Sequence, residues 1–340
     1  MSTLKDIANE AGVSVITVSR VVNMPEMVKP KTRKKVQAAI DKLKYSPNAV
    51  AKALVTNRTG IIDVYIHKSI DLSNPFAMYL ISGISDVLSR EMYSFLIRRN
   101  CDIEHKCDGY IATGLLRAEI YEMYEYAKER NCPLVLFGHT ELSDVNCVDV
   151  DNIEGAKEIT MHLINRGHRK IAMINVDEDK DYTIDRFKGY KEALETVGGI
   201  PDVAFVVKTL NSEEGGFAAM QKLLAVNTFT SVFCATDTIA LGAIRALVEA
   251  GKKVPDDISV VGFDGLGHHL LTSPHVTTVQ QPIFEIGKIL AESLINRIRG
   301  NKTSVKRLVK PKLIIGKSVN NYEPKCEESH NNINEKGDIL

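Results

Sequence analysis

The chain has 340 residues, of which 44% are apolar, 25% charged and 6% aromatic, and this composition predicts a globular protein of two or three domains. No stretch approaches the roughly 20 apolar residues that a membrane span needs, and the first residues lack the basic stub and apolar run of a signal peptide. The six cysteines are scattered without a Cys-x-x-Cys pair, which favours reduced thiols. We therefore expect a cytoplasmic protein.

The net charge of zero hides an asymmetry along the chain. Residues 1–60 contain 11 Lys or Arg against 4 Asp or Glu, and the rest of the chain carries the compensating excess of acid. A basic head before an acidic body favours a polyanionic partner for the head alone, although a basic run is more often only a solvated surface.

The first 23 residues predict two short helices joined by a tight turn. One face of the first helix carries Leu4, Ile7, Ala8 and Ala11. This helix ends at Gly12, because glycine adopts the positive φ of a sharp turn, and Ser14 stands where the next N-cap belongs. The second helix is predicted to bury Val15, Val18, Val21 and Val22. Its other face carries Ile16, Thr17, Ser19, Arg20 and Asn23.

A third helix is predicted after Pro30. Its inward face carries Val36, Ala39, Ile40 and Leu43. Its first turns carry Lys31, Arg33, Lys34 and Lys35. Cations are unfavourable near the positive end of a helix dipole unless a polyanion lies beside them. The three helices together predict a helix-turn-helix bundle of about 45 residues.

Beyond residue 60, apolar runs alternate with helical segments. The runs are 61–66, 109–112, 134–137, 171–174, 231–234 and 258–261. Such runs are typical of strands buried on both faces in a parallel α/β sheet. The segments that begin at Asp108 and Thr230 are loosely alike, which indicates two similar α/β lobes.

Several motifs occur in a fixed order along the chain. The head contains residues 4–8, 12–14, 45–48 and the run Thr17-Val18-Ser19-Arg20-Val21-Val22-Asn23. The body contains residues 151–152, 167–171, 255–264 and 281–282, with Arg186-x-x-Gly189 and Asp237-x-x-Ala240-x-Gly242. These motifs, which span most of the chain, resemble the LacI/GalR family of bacterial repressors. The resemblance implies an α/β protein with a helix-turn-helix head and a two-lobed, periplasmic-binding-protein-like body.

The resemblance implies domain boundaries as well. We predict a DNA-binding head over 1–46, a hinge helix and linker over 47–59, an effector-binding and dimerisation body over 60–322, and a disordered tail over 323–340. Within the body, lobe 1 covers about 60–149 and 282–309, and lobe 2 covers about 151–280 and 311–322. The link of about ten residues between strand-like 94–97 and 109–111 is too short for the helix that relatives carry there. It is predicted to run extended, with the sheet face partly uncovered, or to be covered by a neighbouring subunit.

The expected DNA contacts are Val15, Ile16, Thr17, Arg20, Asn23 and Leu54. The Arg20 guanidinium suits bidentate recognition of guanine in the major groove, with a phosphate contact or a solvated side chain as the alternative. Ile16 suits contact with a thymine methyl. Val15 is ambiguous, because periodicity buries it whereas the family resemblance exposes it. Leu54 resembles the hinge-helix leucine that enters the minor groove, and the alternative is a linker helix with Leu54 in a core.

The expected effector contacts are Phe76, Asp151, Tyr182, Arg186, Thr236, Asp264 and Gln281. The resemblance places the effector between the lobes, where Arg186 offers a fork of donors and Asp264 accepts paired hydroxyls. The alternative is an ion pair between the lobes without a ligand. Phe76 suits stacking or plain core equally. Asp237 is a weaker effector candidate, and its alternative interpretation is the cap of the helix that follows it.

We predict a homodimeric, sequence-specific repressor that binds double-stranded operator DNA and responds to a small molecule, a sugar or sugar derivative. One alternative is a global catabolite regulator switched mainly by a phosphorylated protein; another is a carrier or enzyme of the sugar-binding fold, which needs no Arg20 or Leu54. No nucleophile elbow or dinucleotide loop is present. Cys101, His105 and Cys107 lack a fourth zinc ligand, so no metal is expected. We also expect no enzyme activity, no cofactor and no membrane contact.

Overall fold

A computed structural model describes residues 2–23, 27–45, 58–100, 105–199, 205–226, 228–301 and 303–323. The chain divides into two compact units, Met1–Asp149 with Ile283–Arg307, and Val150–Pro282 with Leu308–Leu340. Leu54, the rest of the hinge segment up to residue 57 and the tail after residue 323 lie outside the described residues. The interpretations of these segments remain predictions. No described helix is both long and apolar enough to cross a membrane.

The head folds as three helices: α1 (Leu4–Ala11), α2 (Val15–Asn23) and α3 (Pro30–Lys42). α1 ends at Gly12, whose φ of 59° is left-handed, and the Ser14 hydroxyl accepts the Thr17 amide at 3.1 Å to cap α2. Both predictions are confirmed. The buried core consists of Ile7, Ala8, Ala11, Val18, Val21, Val36 and Ala39. Val15, however, is 42% exposed, so of its two interpretations the one that buries it in the valine stripe was wrong. It stands in the first turn of α2, where the helix projects beyond the bundle core.

A six-stranded sheet in the order β11-β5-β4-β3-β1-β2 follows the head. Its strands are β1 (Ile61–Ile66), β2 (Ser94–Arg98), β3 (Gly109–Thr113), β4 (Leu134–Phe137), β5 (Asn146–Val150) and β11 (Lys306–Val309). The accompanying helices are α4 (Pro75–Arg90), α5 (Arg117–Glu129) and α10 (Ile283–Ile298). The pairs from β2 to β5 are parallel, and every residue of β3 and β5 is buried. The interpretation of these apolar runs as buried parallel strands is confirmed.

The second unit contains a parallel sheet in the order β7-β6-β8-β9 and an antiparallel pair, β10 with β12. The strands are β6 (Ile171–Val176), β7 (Val206–Thr209), β8 (Ser231–Cys234), β9 (Ser259–Val261), β10 (Thr278–Gln280) and β12 (Lys312–Ile314). The helices are α6 (Asn152–Asn165), α7 (Asp181–Glu195), α8 (Glu213–Val226) and α9 (Asp237–Glu249). A short 3₁₀ turn covers His268–Leu270. The sheet places the ends of β6, β8 and β9 side by side, which positions the residues that follow them.

The link between β2 and β3 has no helix in its described part, residues 99, 100 and 105–108. Leu96 and Ile97 of β2 are 44% and 39% exposed, which agrees with a partly uncovered edge. Arg98 and His105 instead approach the buried Asp63 carboxylate of β1, at 3.3 Å from Nη1 and 2.8 Å from Nε2. Polar side chains on both sides of the link, Arg98 and His105, thus contact a buried carboxylate of the neighbouring strand.

We predict that Gly189→Ala destabilises the second unit. A Cβ at this position would overlap the Ile153 carbonyl oxygen and approach the Ala156 methyl within 2.9 Å. Alanine is favoured in an isolated helix by about 1 kcal/mol, but a clash with backbone does not relax cheaply, so we expect a net loss of about 1–3 kcal/mol in unfolding free energy. Chemical denaturation measures the change, with Lys188→Ala on the exposed face of α7 as the control. A gain in stability would show that α6 and α7 pack less closely.

Candidate functional sites

The first site is the exposed face of α2. Ile16 is 66% exposed and Arg20 is exposed as well, so both stand clear of the head core. Thr17 is half-buried, and its hydroxyl lies 2.8 Å from that of Ser14, so it helps to hold the start of the helix. The side chain of Asn23 lies outside the described residues.

Four cations at the start of α3 add to this surface. All four are exposed: Lys31, Arg33, Lys34 and Lys35. The α3 N-cap residue, Lys29, provides no side-chain cap and the first turn has no acid, so the positive helix end and the cations repel one another. A polyanion beside this turn relieves that repulsion, which is the electrostatic requirement for phosphate contacts.

The second site is centred on Arg186 of α7, which is 3% exposed. Its Nε donates to the Asn152 Oδ1 at 3.0 Å, its Nη1 donates to the Ala235 carbonyl, and Nη1 lies 3.5 Å from the Asp264 Oδ1. The guanidinium carbon lies 3.7 Å from the centre of the Phe263 ring. A buried guanidinium needs such a set of acceptors, because its charge has lost the solvation of water.

The ion pair between Arg186 and Asp264 lies within the second unit. The alternative that it joins the two lobes is therefore wrong. Both residues come from elements of one sheet, since α7 follows β6 and Asp264 follows β9.

Asp264 is the partly solvent-facing carboxylate of this site, with a side chain 21% exposed. The Gln281 amide donates to its Oδ1 at 2.6 Å. Burial raises the pKa of Asp264, and the positive charge of Arg186 opposes that rise. The Asp264 backbone has a φ of 133°, a strained conformation for a residue with a side chain. Tertiary hydrogen bonds hold it there: the Asp264 amide donates to Val279, and its carbonyl accepts the Gln281 amide.

Asp237 supports the loop that carries Asp264. Its carboxylate is 1% exposed and accepts the Gly265 amide at 2.8 Å and the Thr278 hydroxyl at 2.6 Å. Burial, followed by the negative charge of Asp264, raises the pKa of Asp237 to about 8. The interpretation of Asp237 as a helix cap was wrong. Thr236 caps α9 instead, with its hydroxyl accepting the Ile239 amide at 3.2 Å.

The remaining candidates differ in their surroundings. The Tyr182 ring lies 4.9 Å from the Arg186 guanidinium carbon, its hydroxyl donates to Glu178 at 3.2 Å, and burial raises its pKa. Asp151 caps α6 by accepting the Glu154 amide. Thr236 is buried and also donates to Asn211.

Phe76 belongs to the first unit, where its ring meets the edge of Phe137 with centroids 5.3 Å apart. The structure thus brings together Tyr182, Arg186, Asp264 and Gln281. Sequence reasoning missed two direct partners of the guanidinium, Asn152 and Phe263. Asn152 follows Asp151 at the start of a helix, and Phe263 precedes Asp264 after a strand. Their positions beside two selected residues are the signal that could have identified them.

Among the described residues, no three His, Cys, Asp or Glu side chains are grouped so that they hold a metal ion. The two sites therefore offer a basic, exposed helix face and a cluster of buried hydrogen-bonding groups around one guanidinium. The first suits nucleic acid and the second suits a polar small molecule.

The chain belongs to the LacI family of bacterial regulatory proteins and is a DNA-binding transcriptional regulator. The family profile described as "Bacterial regulatory proteins, lacI family" matches residues 3–48, and that described as "Periplasmic binding protein-like domain" matches residues 160–319. The chain is 36% identical to the HTH-type transcriptional regulator YvdE of Bacillus subtilis, over 94% of this chain and 100% of that protein.

Two solved structures are similar over both head and body. The lac repressor dimer bound to operator and the anti-inducer ONPF has a TM-score of 0.75 and 27% identity, covering 94% of this chain and 99% of that chain. The complex of the transcriptional regulator CelR with cellobiose has a TM-score of 0.71 and 32% identity, covering 94% and 100%. The α/β fold class and the family resemblance are confirmed.

We predict that Asp237 makes stability depend on pH. Because its pKa is raised to about 8 from 3.8, the folded state holds an extra proton between these values. Its contribution is fully present below the unfolded pKa and is lost as pH rises through the folded pKa. The stability of wild type relative to Asp237→Asn should therefore fall from pH 5 to 8, by at most about 1.4 kcal/mol per pH unit.

Urea denaturation across this pH range measures the difference, and Asp256→Asn provides an exposed acid of the same unit as the control. A difference that stays constant from pH 5 to 8 would mean that Asp237 is ionised throughout.

Proposed function

We propose that this protein is a homodimeric repressor whose α2 binds operator DNA in the major groove and whose affinity for that DNA is set by a sugar or sugar derivative. The effector would bind at the Arg186 and Asp264 cluster. The observation that carries the proposal is the strained, partly exposed Asp264 carboxylate held over a buried guanidinium. Such strain at a polar cluster is found where a ligand is bound.

The exposure of α2 supports the DNA half of the proposal. Ile16 and Val15 expose apolar groups that contribute nothing to the head core, so contact with thymine methyl groups gives them a role. Arg20 extends from the same face and supplies the fork that guanine O6 and N7 accept. In this proposal the cations of α3 contact phosphates, and Leu54 enters the minor groove between base steps.

The composition of the second site supports the effector half. Asp264 accepts two hydroxyl groups with its two oxygens, and Gln281 fixes the orientation of the carboxylate. Tyr182 provides an aromatic face beside the guanidinium, and aromatic faces pack against the apolar side of a sugar ring. The CelR relative was solved with cellobiose, and another relative, from Enterococcus faecium, was solved with ribose at 28% identity and a TM-score of 0.68.

We expect Arg20→Ala to lose about 1–3 kcal/mol of binding to the preferred operator and little on random DNA, because a bidentate base contact contributes only at the matching base. The operator is first obtained by selecting bound sequences from a random duplex library, and fluorescence anisotropy then measures both affinities. Lys42→Ala, which removes a cation that pairs with Glu10 in the head, is the matched control. An equal loss on both DNAs would make Arg20 a phosphate contact.

We expect Asp264→Asn and Arg186→Ala each to lose about 2–5 kcal/mol of effector binding. Removing one member of the charged pair leaves the other buried without its counter-charge. A thermal-shift screen of sugars, sugar phosphates and nucleosides identifies the effector, and calorimetry then measures its binding with and without operator. Arg245→Ala, which removes an exposed arginine paired with Glu213, is the control.

Operator affinity without effector should be unchanged in both variants, since the DNA contacts lie in the head. Because coupling between two sites is reciprocal, an effector that weakens operator binding must bind more weakly to the operator complex by the same factor. If both variants bind the effector as tightly as wild type, the effector does not bind at this cluster. That outcome would favour a regulator that responds to a protein partner.

A further inference from the structure

Two cysteines of the first unit lie next to each other where β3 and β4 begin. Cys107 precedes β3 and is 8% exposed, whereas Cys132 precedes β4 and is partly exposed. The two strands are paired in parallel, and the Tyr110 amide donates to the Pro133 carbonyl at 2.9 Å. The Cys132 thiol donates to the Cys107 carbonyl at 3.4 Å. The pairing of the two strands therefore brings the Cys132 thiol to the backbone of Cys107.

Both side chains belong to the same apolar cluster of the first unit, and each influences the pKa of the other. The neighbouring Cys132 thiol is the largest of the influences that lower the pKa of Cys107. The Tyr110 hydroxyl contributes in the same direction, whereas burial and the negative charge of Asp63 oppose it. The neighbouring Cys107 is likewise the largest of the influences that raise the pKa of Cys132. Cys107 therefore forms the thiolate more readily than Cys132.

The other described cysteines lack this arrangement. Cys147 is buried, and burial is the main cause that raises its pKa. Cys234 is fully buried in the second unit, and burial raises its pKa as well. Thiolates, not thiols, react with oxidants, so these two cysteines provide internal references for an unreactive thiol.

We propose that Cys107 and Cys132 form an oxidation site that hydrogen peroxide converts into a reversible intramolecular disulfide. The Cys107 thiolate attacks one peroxide oxygen, the O–O bond breaks, and the products are a sulfenic acid and, after protonation, one water. The Cys132 sulfur then attacks the sulfenic sulfur, the S–O bond breaks, and the second water leaves with the Cys132 proton. Two thiols are oxidised and one peroxide is reduced to two waters.

The two cysteines lie within reach of each other. A disulfide requires Cα atoms about 4.4–6.8 Å apart, and adjacent strands are spaced about 4.7–4.9 Å apart. The register of β3 and β4 sets Tyr110 opposite Leu134, so Cys107 and Cys132 are one residue out of register if that pairing continues. The Cys132 thiol is 3.4 Å from the Cys107 carbonyl oxygen. The bond would link positions two residues before β3 and two residues before β4, and so close the segment that contains β3 and α5.

The test uses the full chain with Cys101→Ser and Cys326→Ser, which removes the two cysteines outside the described residues. After treatment with hydrogen peroxide, remaining thiols are alkylated and the intact mass and tryptic peptides are measured. We expect loss of two thiols, a peptide pair linking Cys107 to Cys132, and full recovery with dithiothreitol. Alkylation of Cys147 and Cys234 should need denaturant, and their oxidation should be at least about tenfold slower, because the thiolate and not the thiol reacts with peroxide.

Two variants separate the roles of the sulfurs. Cys132→Ser should stop at a sulfenic acid that dimedone labels, and Cys107→Ser should slow thiol loss by at least about tenfold. Circular dichroism and thermal melting of each variant show that it is folded. A link from Cys107 or Cys132 to any other cysteine, or equal reactivity of all thiols, would overturn the proposal. Operator and effector binding play no part in this test, so its outcome is independent of the function proposed above.

Discussion

The buried charge of Arg186 is the constraint that organises the second unit. A guanidinium taken out of water loses several kcal/mol of solvation unless acceptors and a counter-charge replace it. Asn152 begins α6, the Ala235 carbonyl follows β8, Phe263 and Asp264 follow β9, and Tyr182 stands one turn before Arg186 in α7. Because most of these partners come from elements other than α7, the charge is satisfied only when the sheet and its helices are assembled. The cluster therefore links local polar geometry to the fold of the whole unit.

The carboxylates around this charge divide their roles by exposure. Asp237 is buried, and its two carboxylate oxygens accept hydrogen bonds from the Gly265 amide and the Thr278 hydroxyl. These bonds order the loop after β9. Asp264, on that loop, keeps part of its carboxylate in solvent and holds an unfavourable φ. A raised pKa on both residues follows from the same burial. One acid thus supports the backbone, while the other retains capacity for a polar partner.

Local patterns predicted most of the fold, whereas contacts between distant segments could not be read from them. The Ser14 cap, the Gly12 turn and the buried strands depend on neighbours within a few residues or on alternation of apolar residues, and the structure confirms them. The predicted burial of Val15 was wrong because periodicity assumes that the rest of the head covers the whole length of the helix. Val15, at the start of α2, is not covered.

The misassigned and missed residues of the second site share one cause. Asp237 was misread since a carboxylate at a helix start resembles a cap, and its real partners lie 28 and 41 residues away. Asn152 and Phe263 were missed because their role depends on a guanidinium brought from α7. Side-chain chemistry thus identified the centre of the site, but its supporting residues depend on strand order, which aligns the ends of β6, β8 and β9 and has no local signature. The head shows the opposite case: Arg20 projects from one short helix, so spacing alone was enough to predict its exposure.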